Sequence, residues 1–386
     1  MRETMARDWT INGRFLTQRT TGVQRYGREI VSAIDALISE NHPLTEGLRV
    51  RLLIPGSYSG ELPSFRSIQI HRVGWLKGHL WEQVELAAHA RGGLLSLCNT
   101  GPLGRLKQIV CIHDLNPLLF PASYSRSFRL GYSLLLPTLG RLVARVATVS
   151  AFSAQVLVDH RMTGGCAPIV AYNGHEHVNR WHPHEAHPST TIPNTILVLG
   201  SLARHKNVSL VLDLAPRLAV HGIEIAVVGA RDRRVFSEAG AVSETQAGVR
   251  WLGRLTDDEL ADTMQSALCL AFPSLMEGFG LPPLEAMALG CPVVVSNRAS
   301  LPEVCGDAAL YASPTAPDDW LSCFVALRTD PQLRQDLIAR GRARAAEFSW
   351  TQAASVYLDA LAQLDGVPSR GKCVAIAPIR ESFARR

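Results

Sequence analysis

The sequence predicts an α/β protein with two doubly wound, parallel-sheet domains that face a central cleft. Short apolar runs of strand length alternate with helical periodicity on both sides of a His- and Pro-rich segment, residues 174–193. This alternation is typical of parallel sheets with helices on both faces, whose ligands bind beyond the carboxyl ends of the strands. The 386 residues, of which 47% are hydrophobic and 19% charged, suffice for two domains with sizeable cores.

Ten apolar runs have the length and composition of strands. In the first half these predicted strands are residues 50–55, 94–98, 108–113, 145–149 and 169–172, and in the second half 195–199, 223–228, 249–252, 268–272 and 292–296. Helical patterns fill most of the gaps between them. One helix begins at a capping box, Thr21 to Gln24, and continues with apolar residues at helical spacing as far as Leu37.

The most informative stretch, Phe272 to Pro302, reads FPSLMEGFGLPPLEAMALGCPVVVSNRASLP. A strand ends at Pro273, and Pro282 and Pro283 suit the first turn of a helix. The glycines between them, Gly278 and Gly280, leave backbone N–H groups unobstructed beside the positive end of the helix dipole. A diphosphate could dock there.

One carboxylate lies on each side of this docking point, Glu277 before the loop and Glu285 inside the helix. Each can accept hydrogen bonds from sugar hydroxyls, and the two would contact different parts of one ligand. A nucleoside diphosphate sugar has that shape.

This stretch resembles the E-x7-E signature of the retaining, GT-B fold glycosyltransferases of family 4, including the continuation from Gly290 to Leu310. The alternative is an ordinary strand, loop and helix of another doubly wound domain. The resemblance implies a GT-B enzyme with two Rossmann-like domains. It would transfer a sugar from a nucleotide donor, with retention of configuration, to a hydroxyl of a glycan or lipid-linked acceptor in cell-surface polysaccharide synthesis.

The resemblance also implies roles within the signature. Glu277 would bind the donor sugar, Glu285 the ribose, and the backbone of Gly278, Phe279, Gly280 and Leu281 would hold the diphosphate. Retention in this family is usually drawn as front-side displacement assisted by the leaving phosphate.

Two segments of the first half resemble donor-contacting parts of the family. Gly22, in TQRTTGVQRY, corresponds to a glycine loop that faces donor and acceptor, although an ordinary helix start explains the pattern as well. His113, in IVCIHDLNPL, follows a predicted strand and would lie beside the reacting sugar, where a neutral imidazole can hydrogen bond a hydroxyl or help carry the acceptor proton. The alternative for His113 is a structural histidine.

A second-half segment, LVLGSLARHKNVSLVLDLA, resembles the family's G-x5-K-N pattern. It implies that Lys206 binds the diphosphate and offsets the charge that grows on the leaving phosphate. Many members have Arg immediately after the glycine, where this chain has Ser201, so Arg204 is the candidate substitute. Solvated loop charges are the alternative reading of Lys206 and Arg204.

Other family contacts would come from the backbone and from the end of the chain. Gly253 and Arg254 would contact the nucleobase, before a helix that opens with the capping box Thr256 to Glu259. Residues 348–361 resemble the family's closing helix. We therefore divide the chain into an acceptor-side domain (1–180), a donor-binding domain (181–347), the closing helix (348–366) and a loose basic tail (367–386).

The charge distribution favours an anionic partner for the first half. Residues 1–180 carry 20 Lys and Arg against 12 Asp and Glu, whereas residues 181–386 carry 19 against 22. The candidates are a pyrophosphate-linked acceptor, such as a polyprenyl diphosphate, and an anionic membrane surface, with a solvated basic face as the alternative. Nothing in the sequence resembles a nucleic-acid module, so nucleic acid ranks last among the candidate partners and we expect none. Four arginines interleave with leucines as in an amphipathic helix on an anionic membrane, and the alternative is a core-packed helix with solvated arginines, which Pro137 would interrupt: Arg126, Arg129, Arg141 and Arg145.

Composition also bears on location and metal binding. The N-terminus lacks the apolar block of a signal peptide, and the cysteines form no CxxC pair. We therefore expect a cytoplasmic protein with reduced thiols. If the basic half contacts lipid, we expect the protein at the inner face of the membrane. No Asp-x-Asp pair follows a strand, so no metal is implied. Five histidines that might otherwise suggest metal are interpreted as solvated linker residues: His175, His177, His182, His184 and His187.

The donor and the competing functions stay open at this point. Trp81 to Gln83 (WEQ) and the segment after His113 look most like bacterial polysaccharide mannosyl- and rhamnosyltransferases. GDP-mannose is therefore the first donor to test, with UDP- and dTDP-sugars as alternatives, and no further cofactor is required. The alternative functions are a GT-B nucleotide-sugar epimerase and a catalytically silent nucleotide-sugar-binding module, for which Ser201 is the one hint.

Overall fold

The structure is a computed structural model that describes residues 6–121, 126–182, 193–200, 203–229 and 247–367, with residues 127 and 128 described by backbone alone. Two parallel sheets account for all of its strands within these ranges. The predicted α/β fold with two doubly wound domains is therefore confirmed.

The first sheet has seven strands in the order β3-β2-β1-β4-β5-β6-β7, and every neighbouring pair is parallel. Its strands are β1 (Arg7–Asn12), β2 (Leu48–Pro55), β3 (Gln69–Val73), β4 (Gly93–Ser96), β5 (Gln108–Cys111), β6 (Arg145–Thr148) and β7 (Ile169–Val170). The central strands are buried on both faces, as expected where helices cover a parallel sheet.

The second sheet has six strands in the order β10-β9-β8-β11-β12-β13, again all parallel. Its strands are β8 (Thr195–Leu199), β9 (Glu224–Val228), β10 (Val249–Gly253), β11 (Cys269–Phe272), β12 (Val293–Ser296) and β13 (Leu310–Ala312). Both sheets change strand order at their first strand, which creates the crevice where doubly wound proteins bind ligands.

Helices connect the strands and cover both sheets. They are α1 (Gly22–Ser39), α2 (residues 78–89, with π-helical geometry over Trp81–Leu86), α3 (Asn116–Leu119), α4 (Arg126–Leu142), α5 (Ala151–Asp159), α6 (Val208–Leu212), α7 (Ala215–Ala219), α8 (Asp257–Gln265), α9 (Leu281–Ala288), α10 (Leu301–Cys305), α11 (Pro317–Thr329), α12 (Pro331–Ala345) and α13 (Trp350–Leu364). Both predicted capping boxes form, with Gln24 accepting from the Thr21 backbone and Glu259 from the Thr256 backbone. No helix among the described residues has the length and apolar character needed to cross a bilayer.

The last helix, α13, crosses back from the second half and packs against α1. The Tyr357 hydroxyl lies 2.9 Å from the Tyr26 hydroxyl inside this contact, and both side chains are fully buried. Beyond the helix end, Asp365 accepts from Arg7 Nε at 2.8 Å, Trp9 Nε1 at 2.9 Å and Lys107 Nζ at 2.7 Å. The end of the described chain is thereby bound to the first strand.

Several local predictions were wrong. Strands β1, β3 and β13 were not predicted, and β1 was missed although it is central in its sheet. Helix α4 continues through Pro137, which we expected to interrupt it. Arg145 belongs to β6, so it is not part of the predicted surface helix.

Candidate active site

The loop before α9 forms the floor of the candidate site. Gly280 adopts a left-handed conformation with φ 101°, and a Cβ there would lie 2.7 Å from Leu301 Cδ2. The helix then begins with two prolines in its first turn and ends before Gly290, which is also left-handed with φ 78°. Glycine and proline thus fix both helix ends, as the sequence predicted.

The backbone amides of this loop have no internal acceptor. Among the described residues, none of the N–H groups of Gly278, Phe279, Gly280 and Leu281 donates a hydrogen bond. They precede or open an eight-residue helix, where the dipole favours an anion. The loop can therefore offer up to four donors to one anionic group.

Serine hydroxyls bind the carbonyl groups of the same loop. Ser150 Oγ and Ser153 Oγ donate to the Gly278 carbonyl at 2.6 and 3.0 Å, and both serines belong to the first half of the chain. Ser300 Oγ lies 3.0 Å from the Glu277 carbonyl and 2.8 Å from the Phe279 carbonyl. Because the carbonyls are held by these hydroxyls, the orientation of the loop is fixed before any ligand binds.

A lysine and a carboxylate pair directly beside the loop. Lys206 Nζ donates to Glu277 Oε1 at 2.7 Å, and the two side chains are 24% and 11% exposed. The ammonium also lies 5.4 Å from the centre of the Phe272 ring. Lys206 ends a 3-10 helix, Arg204–Lys206, which left-handed Asn207 (φ 51°) links to α6. Two of the three predicted catalytic residues, Lys206 and Glu277, are thus brought together.

His113 reaches the same loop from the other half of the protein. A Cβ on Gly278 would lie 2.3 Å from the His113 carbonyl, so only glycine fits at this crossing. The His113 ring is buried, and burial lowers its pKa to about 4, partly opposed by the hydrogen bond from Nε2 to the Leu97 carbonyl at 2.8 Å. The ring is therefore neutral with its proton on Nε2, which leaves Nδ1 as an acceptor.

Asp114 is a neighbour of this group that the sequence did not single out. Burial raises its pKa, the Asn116 amide opposes that shift, and the nearby Glu277 charge adds to it. Asp114, Glu277 and Gly278 line one small cavity between the two halves. A carboxyl group from each half therefore lies next to the amide loop.

Glu285 is held by an aromatic and imidazole chain inside the protein. His177 is fully buried, and its Nε2 lies 2.8 Å from Glu285 Oε1. Trp350 Nε1 donates to His177 Nδ1 at 3.1 Å, so that nitrogen carries no proton and the Nε2 proton faces Glu285. The interpretation of His177 as a solvated linker residue was therefore wrong. His184 and His187 lie outside the described residues.

Arg25 from α1 crosses the cleft to the same carboxylate. Its Nε lies 3.7 Å from Glu285 Oε1, and a terminal nitrogen donates to Asp257 Oδ1 at 2.6 Å. The guanidinium carbon also lies 5.4 Å from the Trp181 ring centre. Arg25 thereby connects the first helix to the second half of the chain.

The remaining predicted residues lie at the exposed edge of the site. Gly22 opens α1 one turn before Arg25, and a Cβ there would meet nothing within 4 Å. Gly253 ends β10 with φ 70° and also faces open space, and Arg254 beside it is exposed. Arg204 is exposed, whereas Ser201 lies outside the described residues.

A second carboxylate contact holds the two halves together. Glu303 accepts from the backbone amides of Ala151 and Phe152 at 2.7 and 2.9 Å, at the start of α5. The Tyr172 hydroxyl donates to the same carboxylate at 2.8 Å. The loop before α9 and the start of α5 are therefore held in contact from both sides.

Sequence reasoning missed Arg25, His177, Ser150, Ser153 and Asp114. A signal existed for Ser150, because SAFS before an apolar run is the pattern of an N-cap, and Ser150 Oγ does accept from the Ser153 amide. Asp114 stands beside a residue that was predicted. Arg25 and His177 had no local signal, because what makes them candidates is their contact with Glu285, which is distant in the sequence.

Comparison with known proteins agrees with this geometry. Residues 179–344, which contain the amide loop, Lys206, Glu277 and Glu285, match the family described as Glycosyl transferases group 1. The matched segment is similar to a group 1 glycosyltransferase domain and covers 166 of the 386 residues. The same region includes most of the second sheet and the helices α6 to α11.

Individual relatives agree with the family match. The chain is 45% identical over 102 residues to O-antigen chain mannosyltransferase B of Escherichia coli, covering 26% of this chain and 27% of that protein. It is 28% identical over 227 residues to O-antigen chain mannosyltransferase RfbU of Salmonella typhimurium, covering 58% of this chain and 62% of that protein. The matched segments thus span less than two thirds of either relative.

The likeness in fold extends over nearly the whole chain. The structure of sucrose-phosphate synthase from Thermosynechococcus elongatus superposes with a TM-score of 0.70, covering 94% of this chain and 100% of that one at 16% sequence identity. At this identity the likeness shows the fold alone. The fold is GT-B.

Proposed function

We propose that the protein is a retaining glycosyltransferase. It moves a sugar, mannose as the first candidate, from a nucleoside diphosphate donor to a hydroxyl of a glycan or lipid-linked acceptor in cell-surface polysaccharide synthesis. The observation that carries the proposal is the pairing of Lys206 with Glu277 at 2.7 Å beside a loop whose four amides have no acceptor among the described residues. This arrangement lies within the segment that matches the group 1 glycosyltransferases.

The amide loop and Lys206 would bind the donor diphosphate. The amides of residues 278–281 are oriented in advance by the serine contacts to the loop carbonyls, so binding the phosphates requires little reorganisation. Lys206 has three donors and can keep Glu277 while it also contacts a phosphate oxygen. As the glycosidic bond breaks, negative charge grows on the leaving diphosphate, and the adjacent ammonium stabilises that charge.

Other residues would orient the donor and the acceptor. Glu277 would bind the transferred sugar and Glu285 the ribose, since a carboxylate accepts from two hydroxyls at once. His113 would accept a hydrogen bond at Nδ1 beside the reacting sugar. Gly22 would allow close approach of the donor, Gly253 and Arg254 would contact the base, and Arg204 would add a second cation at the phosphates.

Donor, acceptor and location form the finer part of the proposal. The mannosyltransferase names of the two relatives support GDP-mannose as the first donor, with UDP- and dTDP-sugars as the alternatives. The basic first half supports an acceptor that carries phosphate, such as a polyprenyl diphosphate-linked glycan, and a location on the cytoplasmic face of a membrane. Retention of configuration, with no metal ion and no cofactor besides the donor, is proposed from the resemblance to family 4. The domain limits at residues 180 and 347 stay part of the proposal.

A donor panel tests the proposal. Thermal shift with GDP-, UDP- and dTDP-sugars should raise the melting temperature with the true donor only, because a ligand of the folded state stabilises it. Turnover is then measured with a lipid-linked glycan acceptor, and the anomeric configuration of the product is read by NMR. An inverted product would contradict retention, and a panel with no shift at all would contradict the donor site.

Two variants separate binding from catalysis. Lys206→Ala should mainly lower kcat, because growing charge matters more in the transition state, whereas Glu285→Ala should mainly weaken donor binding. Lys77→Ala is the control, since Lys77 is an exposed lysine of the other half. Isomerisation of the donor without acceptor would instead indicate an epimerase, and tight binding of a donor that stays intact would indicate a silent binding module.

A further inference from the structure

The first half of the protein carries an unusual number of exposed large apolar side chains. Trp75 is 81% exposed, and Leu80 and Val84, one turn apart on α2, are 66% and 56% exposed. On α4, Leu130 and Leu134 are 65% and 66% exposed and also lie one turn apart. Such side chains are costly in water unless something covers them.

These exposed residues lie on neighbouring segments. The rings of His79 on α2 and Tyr132 on α4 are 6.3 Å apart and meet edge to face. Gln83 on α2 bonds to the Gly101 carbonyl and the Leu103 amide, and Leu103 packs against the core side of α4. The apolar residues therefore form one surface, the α2–α4 surface, which we define as Trp75, Leu80, Val84, Leu130 and Leu134.

The segment that carries this surface is rich in basic residues. Between residues 62 and 158 the chain has ten Lys and Arg but only three acidic residues: Glu82, Glu85 and Asp114. Glu82 and Glu85 are buried, and Asp114 is at most half-exposed and lies beside Glu277. Lys107 pairs with Asp365 away from the α2–α4 surface, whereas Arg126 and Arg129 line a groove beside Leu130, and this segment has no exposed carboxylate among its described residues to balance them.

The buried carboxylates have structural tasks that keep them away from this surface. Glu82 accepts from Asn12 Nδ2 at 2.7 Å, from Arg14 Nε at 3.1 Å and from Thr100 Oγ1 at 2.9 Å. Glu85 accepts from the amides of Trp75 and Leu76 at 2.9 and 3.0 Å. The second set of bonds also fixes the backbone that presents the Trp75 ring to solvent.

We propose that the α2–α4 surface docks the protein on an anionic lipid bilayer. An exposed tryptophan and pairs of leucines can enter the interfacial region of a membrane, and flanking cations are attracted to anionic headgroups. Arg126 and Arg129 line an open groove together with Leu118 and Leu130, which places guanidinium groups beside apolar walls. That combination suits a phosphate headgroup with its acyl chains. The inference deepens the membrane location given in the proposed function and rests on it, whereas sugar transfer is tested separately by the donor assays.

Vesicle sedimentation with the full chain tests the inference. Vesicles of phosphatidylcholine alone are compared with vesicles that also contain phosphatidylglycerol, at low and high salt. The wild-type protein should bind the anionic vesicles and be released by salt. Leu130→Ser combined with Leu134→Ser, and separately Trp75→Ala, should each lower the partition coefficient about tenfold. Arg126→Ala combined with Arg129→Ala should lower it about thirtyfold, at about fivefold per arginine.

Matched controls come from the second half of the chain. Val220 is 82% exposed and Arg250 is exposed, so Val220→Ser and Arg250→Ala change the same chemistry away from the surface and should bind vesicles as the wild type does. Melting temperatures of all variants show that they fold. Equal binding to neutral and anionic vesicles, or undiminished binding by the surface variants, would overturn the inference. A wild-type dimer in ultracentrifugation that the same variants dissociate would overturn it too, and would assign the surface to a second copy of the chain.

Discussion

His177→Ala should destabilise the protein and loosen the carboxylate of Glu285. Both ring nitrogens of His177 are engaged in a fully buried position, one with Glu285 at 2.8 Å and the other with Trp350 at 3.1 Å. Removing the ring leaves the buried Trp350 N–H without an acceptor, which costs about 1 to 3 kcal/mol, and removes a bond to a charged group worth about 1.5 to 3 kcal/mol. We expect a loss of about 4 kcal/mol in the free energy of unfolding.

The same change should weaken donor binding. Without His177, the nearest remaining partner of Glu285 Oε1 among the described residues is Arg25 at 3.7 Å, so the carboxylate gains freedom that ligand binding must remove. Since about 1.4 kcal/mol corresponds to a factor of ten, we expect donor affinity to fall about tenfold. Urea unfolding measures the stability, and calorimetry on the folded protein measures the affinity.

Two further variants, His177→Gln and His175→Ala, serve as controls for His177→Ala. His177→Gln keeps one donor and one acceptor, so it should recover most of the stability. His175→Ala removes a half-buried histidine whose Nδ1 contacts the Phe348 carbonyl at 2.8 Å, and it should leave donor affinity unchanged. The reasoning fails if His177→Ala unfolds within about 1 kcal/mol of wild type, well below the cost of an orphaned donor, and binds donor equally well.

Three further predictions concern the cleft and the closing helix. Burial lowers the pKa of His113 to about 4 in the folded protein, whereas an unfolded histidine has a pKa of about 6.5. As the pH falls from about 7 to about 5, the unfolded chain therefore binds the proton first, and the free energy of unfolding should drop by about 2 kcal/mol. Urea titrations at both pH values measure this loss, which should be absent in His113→Gln. Gly278→Ala would place a Cβ 2.3 Å from the His113 carbonyl oxygen, so the free energy of unfolding should fall by about 1 to 3 kcal/mol. Gly22→Ala places its Cβ in open space, so it should weaken donor binding without changing the melting temperature. Equal melting temperatures for the two variants would contradict the steric argument. The Asp365 side chain is only 6% exposed and accepts hydrogen bonds from Arg7, Trp9 and Lys107. Asp365→Ala leaves these donors without that acceptor, so the free energy of unfolding should fall by about 3 kcal/mol. A urea midpoint equal to that of the wild type would show that the closing helix docks without Asp365.

The parts of the fold that the sequence predicted are those fixed by local chemistry. Apolar runs such as Cys269–Phe272 and Val293–Ser296 form buried strands because exposing their apolar side chains to water would be unfavourable. Gly290 and the two prolines after Leu281 fix helix ends through backbone geometry alone. Such signals need no distant partner, so five of the six strands of the second sheet were predicted.

The missed elements depend on contacts between distant residues. Strand β1 carries Arg7 and Asp8 and looks polar, yet Arg7 is buried because Asp365, 358 positions away, neutralises it. His177 lies in a segment whose composition suggested solvent, and it is buried because Trp350, 173 positions away, covers it. Pro137 is tolerated inside α4 because the carbonyl one turn earlier belongs to Ser133, an exposed residue that solvent can satisfy.

The bonds between residues 174–177 and 348–350 have a mechanical consequence. Ser349 Oγ donates to Glu176 Oε1 at 2.5 Å, the Trp350 amide donates to Glu176 Oε2 at 3.0 Å, and a Cβ on Gly174 would lie 2.1 Å from that amide nitrogen. The two chain segments that join the halves, residues 174–177 and 348–350, are therefore bonded side by side, and we expect them to move together. If the two halves move apart, we expect a rotation about these two paired segments, and Glu285, which His177 holds beside them, should then move least.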